Sequence, residues 1–239
     1  MDIVYVLKNE PSDWQDNEIR YSLRSLERFG RNYDRVFLVG GKPDFLDYNK
    51  IIHLAHQDKY AVPDYNVFLK LIYACSNSDI SENFVLFNDD FYLLRYISLR
   101  TIPYYYKREE ISTIYGNKNT FNDTALLTRE FLLKYNKPIF DFKPHYPIIY
   151  NKTKLQSLIP LFAEGFKISP LGLSLRDLYC NWHKVPNKIY KKENKMIGKN
   201  VIITRFIKRL DLFSGSNSAR KDEKIFLKNK FVVKSKWEI

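Results

Sequence analysis

Apolar and polar positions alternate along this chain in a β-α-β rhythm. Ile3, Val4, Tyr5 and Val6 make residues 2–7 a first strand. A polar stretch from Lys8 to Asn17 follows, with Ser12 or Asp16 placed to cap the next helix. Over residues 18–29, Ile19, Leu23, Leu26 and Phe29 recur at helical spacing, and Gly30 marks the stop. Residues 36–39 and 51–54 read as two more strands. Pro63 and Asp64 open a helix that carries Val67, Leu71 and Ala74 on one face to about Asn77. Phe84 to Phe87 then run without a polar break, which predicts a fully buried strand.

Beyond that strand the pattern loosens. Residues 104–115 read as strand. A helix capped by Asn122 or Asp123 carries Ala125, Leu126, Phe131 and Leu132. Residues 134–147 hold three prolines and read as irregular. Residues 155–162 and 173–179 are helical candidates. Residues 201–213 suit an amphipathic helix or a strand, and 214–218 a small-residue loop. Residues 225–237 alternate with a period near two. The whole predicts an α/β fold, a mostly parallel sheet flanked by helices.

The buried run ends in Asn88-Asp89-Asp90. Parallel sheets bind ligands beyond the carboxyl ends of their strands, where these residues fall. Adjacent carboxylates repel unless a proton or cation intervenes, and hard oxygen ligands suit Mn²⁺ or Mg²⁺. The same three residues also make an ordinary turn.

Composition narrows the function classes. With only 8 glycines, the chain has neither a G-x-G-x-x-G nor a Walker-type loop. Its 2 cysteines, Cys75 and Cys180, and 4 histidines match no zinc spacing, and the thiols read as buried in a reducing compartment. There is no leader-like start and no apolar run of about 20 residues, so the expectation is a soluble, cytoplasmic protein.

The net charge of +12 is concentrated at one end: residues 184–239 hold 16 Lys and Arg against 5 Asp and Glu. Residues 1–183 therefore read as a nearly neutral catalytic domain, and 184–239 as a basic appendage for docking or for an acceptor. Arg205-Phe206, Lys230-Phe231 and Lys236-Trp237 interleave cations with aromatics, as nucleic-acid tracking requires.

Three stretches resemble the Stealth-type sugar transferases of capsular polysaccharide synthesis. They are Asp2-Ile3-Val4-Tyr5, the helix from Glu18 through Arg20-Tyr21-Ser22-Leu23-Arg24-Ser25, and Asn88-Asp89-Asp90-Phe91. His145-Tyr146-Pro147 resembles that family's downstream histidine region. The family's W-V-D-G is replaced here by Val6-Leu7-Lys8-Asn9, and its F-N-S by Tyr65-Asn66-Val67.

The resemblance implies a nucleotide-sugar fold of the GT-A kind and leaves glycosyl and phosphoglycosyl transfer both open. On that reading Asp90 and Asp89 hold Mn²⁺ or Mg²⁺, with His145 as a third ligand and His183 as its rival. Lys8, Asn9, Arg20, Arg24, Lys70, Asn88 and Asp89 meet the nucleotide-sugar, a UDP-sugar being the expected donor. Asp123 and His145 are the general-base candidates, while His53 and His56 read as surface. The basic end places a hydroxymethylated pyrimidine in DNA first among acceptors and a capsular or surface glycan second. A non-catalytic nucleic-acid-binding protein is the alternative of another class.

Overall fold

A computed structural model describes residues 1–60, 62–112, 120–192, 195, 207, 210–215 and 220–239. Its elements run as follows: β1 (Asp2–Leu7), α1 (Asn17–Phe29), β2 (Gly30–Arg31), β3 (Val36–Gly40), β4 (Ile52–Leu54), α2 (Pro63–Ser76), β5 (Asn83–Phe87), β6 (Phe91–Leu93), β7 (Ile97–Ser98) and β8 (Tyr104–Tyr106). After them come α3 (Thr120–Lys134), β9 (Ile148–Asn151), α4 (Lys152–Gln156), α5 (Ile159–Ile168), α6 (Leu175–Trp182), β10 (Lys188–Tyr190), β11 (Leu212–Ser214) and a last helix, here α7 (Lys221–Lys230).

The central sheet has the order β4-β3-β1-β5-β9. The first four strands are parallel, and β9 runs antiparallel to β5. The connection from β1 proceeds outward through β3 and β4, then returns across to β5. The strand order therefore reverses between β1 and β5, and their carboxyl ends flank the crevice that such a reversal leaves.

Side chains alternate across the sheet. Val4, Phe37, Val39, Phe84, Leu86, Ile148 and Tyr150 face one core layer, with α2, Phe131 of α3 and Leu178 of α6. Ile3, Tyr5, Leu7, Val36, Leu38, Val85 and Phe87 face the other, with Ile19, Leu23 and Leu26 of α1 and Trp237 near the chain's end. Gly40 ends β3 at φ +104°, and a Cβ there would strike the Leu7 carbonyl and the Lys70 ammonium. This close approach requires glycine.

The C-terminal residues pack on the body. β11 pairs antiparallel with β6, setting Ser214 opposite Phe91. Residues 225–230 are helical, contrary to the period-two reading. Glu223, Leu227 and Phe231 are buried four residues apart, and the acid among them hid the helical period. Of residues 104–115 only Tyr104–Tyr106 is strand, and 113–115 lie outside the described residues. Ser214, read as loop, belongs to a strand.

Among the described residues no helix is long and apolar enough to cross a membrane.

Candidate active site

The candidate site lies where β5 runs out. β5 is buried on both faces and pairs with β1 through Tyr5 opposite Phe87, so Asn88 to Asp90 emerge beside Lys8 and Asn9. The chain turns at once: the Phe91 amide donates to the Asn88 carbonyl at 3.2 Å, and β6 begins.

Two serines of α1 hold that turn from below. Ser22 Oγ donates to the Phe91 carbonyl at 2.7 Å and lies 3.0 Å from the Tyr5 hydroxyl, which therefore donates to it. Ser25 Oγ accepts from the Leu93 amide at 3.0 Å. Glu18, in the first turn of α1, takes a hydrogen bond from Ser12 Oγ at 2.6 Å and adds its charge to the field at Asp89.

The two carboxylates sit differently. Burial, then the charge of Asp90, then that of Glu18 push the Asp89 carboxyl up to about 7. Burial also raises Asp90, against a hydrogen bond from Ser214 and the charges of Lys195 and His145. Asp90 Oδ2 accepts from Ser214 Oγ at 2.8 Å. Its Oδ1 is buried and has no hydrogen-bond partner among the described residues.

His145 reaches this site through the antiparallel edge. The β5–β9 ladder ends at Leu86 opposite Ile148, three residues beyond His145 in the chain. His145 stands at φ +52° and contributes to the field at Asp90.

A divalent cation fits this donor set. A buried carboxylate oxygen with no partner, next to an acid driven towards neutrality by burial and then by its neighbour, is relieved by a hard dication. Among the described residues no three His, Cys, Asp or Glu side chains come together as a metal cluster. His145 and His183, the candidates for a third ligand, lie apart in the fold. The ring of His183 bonds the Lys154 carbonyl at 3.0 Å.

The other expected residues divide into two groups. Lys8 is exposed at the end of β1. Asn9 exchanges hydrogen bonds with the 56–58 loop: its Nδ2 donates to the His56 carbonyl at 2.9 Å, and its Oδ1 accepts from the Asp58 amide at 2.6 Å. Lys70 is 1% exposed, donating to the Leu7 carbonyl at 2.6 Å and pairing with Asp58 at 2.6 Å. Asn9 and Lys70 thus build the wall of the crevice from beneath. His53 and His56, read as surface, are half-buried in the same wall, His53 bonding the Gly40 carbonyl at 2.9 Å.

Arg20 and Arg24 share a face, as their spacing predicts, but that face meets the chain's own C-terminus. Arg24 binds Glu238 through Nε and Nη2, both at 2.7 Å, and Arg20 lies 3.7 Å from the same carboxylate, over the Phe45 ring. Asp123 is exposed in the first turn of α3, and no hydrogen bond or ion pair joins it to the acidic turn among the described residues.

The residues that sequence reading passed over are Ser22, Ser25, Glu18 and Ser214. The two serines and Glu18 lie inside the helix motif already quoted. Only their spacing on the face opposite Arg20 and Arg24 marked them. Nothing local marks Ser214. Arg205 and Phe206 lie outside the described residues. Phe231 and Trp237 are 3% and 2% exposed, so they form no stacking platform for bases.

No family model matches the chain. Two capsular polysaccharide phosphotransferases WcwK of Streptococcus pneumoniae are 25% identical to it, over 223 and 226 residues. Each alignment covers 83% of this chain and 65% of the relative, so the chain spans about two thirds of their length. Among solved structures, the galactosyltransferase LgtC in complex with donor and acceptor sugar analogs superposes with a TM-score of 0.55 at 9% identity, over 99% of this chain and 98% of that one. An active-site mutant of LgtC superposes with a TM-score of 0.56 at 8% identity, with the same coverage. The chain has a GT-A-like fold and is similar in sequence to capsular polysaccharide phosphotransferases.

Proposed function

We propose that the chain is a divalent-cation-dependent transferase that moves a sugar phosphate from a nucleotide-sugar to a glycan hydroxyl. One observation carries the reading. At the reversal point of a GT-A-like sheet, Asp89 and Asp90 face each other's charge, and Asp90 Oδ1 is buried with no partner among the described residues. The phosphotransferase name of the relatives supports phosphoryl over glycosyl transfer.

Asp89 and Asp90 would hold Mn²⁺ or Mg²⁺, water and the donor's phosphates supplying the other ligands. When bound, the ion neutralises the pyrophosphate as charge gathers on the departing nucleotide. Asn88 and Lys8, at the mouth of the crevice, meet the phosphates, while Asn9 and Lys70 keep the wall rigid. His145 stands on the acceptor side and takes the proton of the attacking hydroxyl. The acceptor oxygen bonds to the β-phosphorus, and the bond from that phosphorus to the bridging oxygen breaks. Nucleoside monophosphate leaves.

A glycan takes precedence over DNA as acceptor. The basic end suits an acidic glycan as well as it suits DNA, and the aromatics that would stack on bases are buried. The test is a donor screen with Mn²⁺, using UDP-sugars, capsular oligosaccharides and hydroxymethylcytosine DNA, with nucleotide products separated by chromatography. Nucleoside monophosphate with a phosphosugar-modified glycan is the expected result. Nucleoside diphosphate would establish glycosyl transfer instead, and a modified DNA product would reverse the acceptor assignment.

A further inference from the structure

Asp90 is gripped twice by a segment more than a hundred residues away. Ser214 Oγ donates to Asp90 Oδ2 at 2.8 Å across a separation of 124 positions. The next residue's amide, on Gly215, donates to the Asp90 carbonyl at 2.9 Å. Side chain and main chain of one acid are thus fixed by two consecutive residues.

The grip is built into the fold. Ser214 is 0% exposed and lies in register with Phe91 on the β6–β11 ladder. Phe213 packs its ring 4.9 Å from that of Tyr92. Gly215 has no room for a side chain: a Cβ there would meet Glu223 Oε1, with Tyr92 at 3.3 Å and Asp90 Cβ at 3.5 Å. Downstream, α7 and the Arg24–Glu238 pair fasten the same segment to α1.

A carboxylate bonded through one oxygen cannot swing about its Cβ–Cγ bond without losing that bond. Its other oxygen then points in a single direction. Here that oxygen is Asp90 Oδ1, the buried atom with no partner among the described residues.

We infer that Ser214 is a positioning residue for the divalent cation, holding Asp90 so that Oδ1 is presented to the ion. This rests on the cation reading of Asp89 and Asp90 given above. It makes the C-terminal segment part of the donor site, because the partner that orients a metal ligand comes from β11. Partners of this kind set metal affinity by fixing ligand orientation, and their removal costs about 10–100-fold in binding.

Ser214→Val and Ser214→Thr test this as a pair, since they share a shape and differ in the hydroxyl. Mn²⁺ is titrated into each protein, with and without UDP, and free Mn²⁺ is read by electron paramagnetic resonance. Thr should keep the affinity of the parent. Val should weaken it about 10–100-fold. With a turnover assay, Val should raise the Mn²⁺ concentration for half-maximal rate while kcat at saturating Mn²⁺ recovers.

Equal affinity in the Val and Thr proteins would overturn the inference and leave the cation reading standing. A parent protein that takes up no Mn²⁺ would overturn both. If Val fails to fold, Thr alone decides: loss of affinity in a folded Thr protein, with its hydroxyl present, contradicts the positioning role.

Discussion

Arg24 grips Glu238 with both arms of its guanidinium, at 2.7 Å each, so the first helix holds the penultimate residue of the chain. The pair is nearly dry, the Glu238 side chain being 2% exposed and that of Arg24 10%. Arg24 Nη1 also donates to the Phe231 carbonyl at 2.8 Å, and Glu238 accepts from the Ser235 amide at 2.9 Å. The charges are therefore paired and fully bonded, the condition under which breaking one side is costly.

Arg24→Ala should destabilise the protein by about 3–5 kcal/mol, the penalty for leaving a buried charge alone. For a chain of this length that lowers Tm by roughly 6–20 °C. Calorimetry checks it. The sign with pH is fixed as well. Burial pushes the Glu238 carboxyl up, but the bonds from Arg24 and Ser235 outweigh it and leave it below its ordinary value. Its contribution is then fully present above the usual glutamate range and is lost as pH falls through the depressed value.

Ser22→Ala should cost about 1–3 kcal/mol, because the Phe91 carbonyl and the Tyr5 hydroxyl both lose their buried partner. Ser22→Thr should recover part of that in a urea titration. The loss should be accompanied by weaker Mn²⁺ uptake, since Phe91 adjoins Asp90.

Asp89→Asn should have opposite effects on stability and on function. Removing one of two facing charges from the metal-free protein should raise Tm by about 2–4 °C. The same change should lower turnover by about a hundredfold or more and abolish the rise in Tm on adding Mn²⁺ with UDP. Asp90→Asn should abolish turnover with a far-UV spectrum like the parent's.

Metal uptake should depend on pH with a known sign. The Asp89 carboxyl, raised to about 7 by burial, Asp90 and Glu18, carries a proton in acid that a cation must displace. Mn²⁺ affinity should rise about tenfold per pH unit below that value and level off above it. Protons should be released into weak buffer on binding near pH 6. A flat profile between pH 5 and 8 would put the ion elsewhere.

Much of this was written locally in the chain. β1, α1, β3, α2 and β5 follow from apolar period and from Gly30 and Pro63, and the acidic turn follows from where an unbroken buried run stops. The missing parts depend on distant partners. β6, β9 and β11 are three or four residues each, too short for a period to register, and are strands only because a neighbour pairs with them. His145 adds its charge to the field at Asp90 from more than fifty residues away, which no local pattern contains. The partner of Arg24, Glu238, lies more than two hundred residues away, where no local pattern can show it. Phe231 and Trp237, set between lysines in the sequence, are core because distant residues of the body cover them.

The central claim is that Asp89 and Asp90 grip the ion that holds the donor's pyrophosphate. Anomalous diffraction at the manganese edge, from crystals grown with UDP-sugar and Mn²⁺, tests it most directly. One strong peak is expected in coordination contact with Asp90 Oδ1 and with the donor's phosphates, beside Asp89. A nucleotide bound in the crevice with the manganese peak elsewhere, or with both carboxylates turned to solvent, would contradict it.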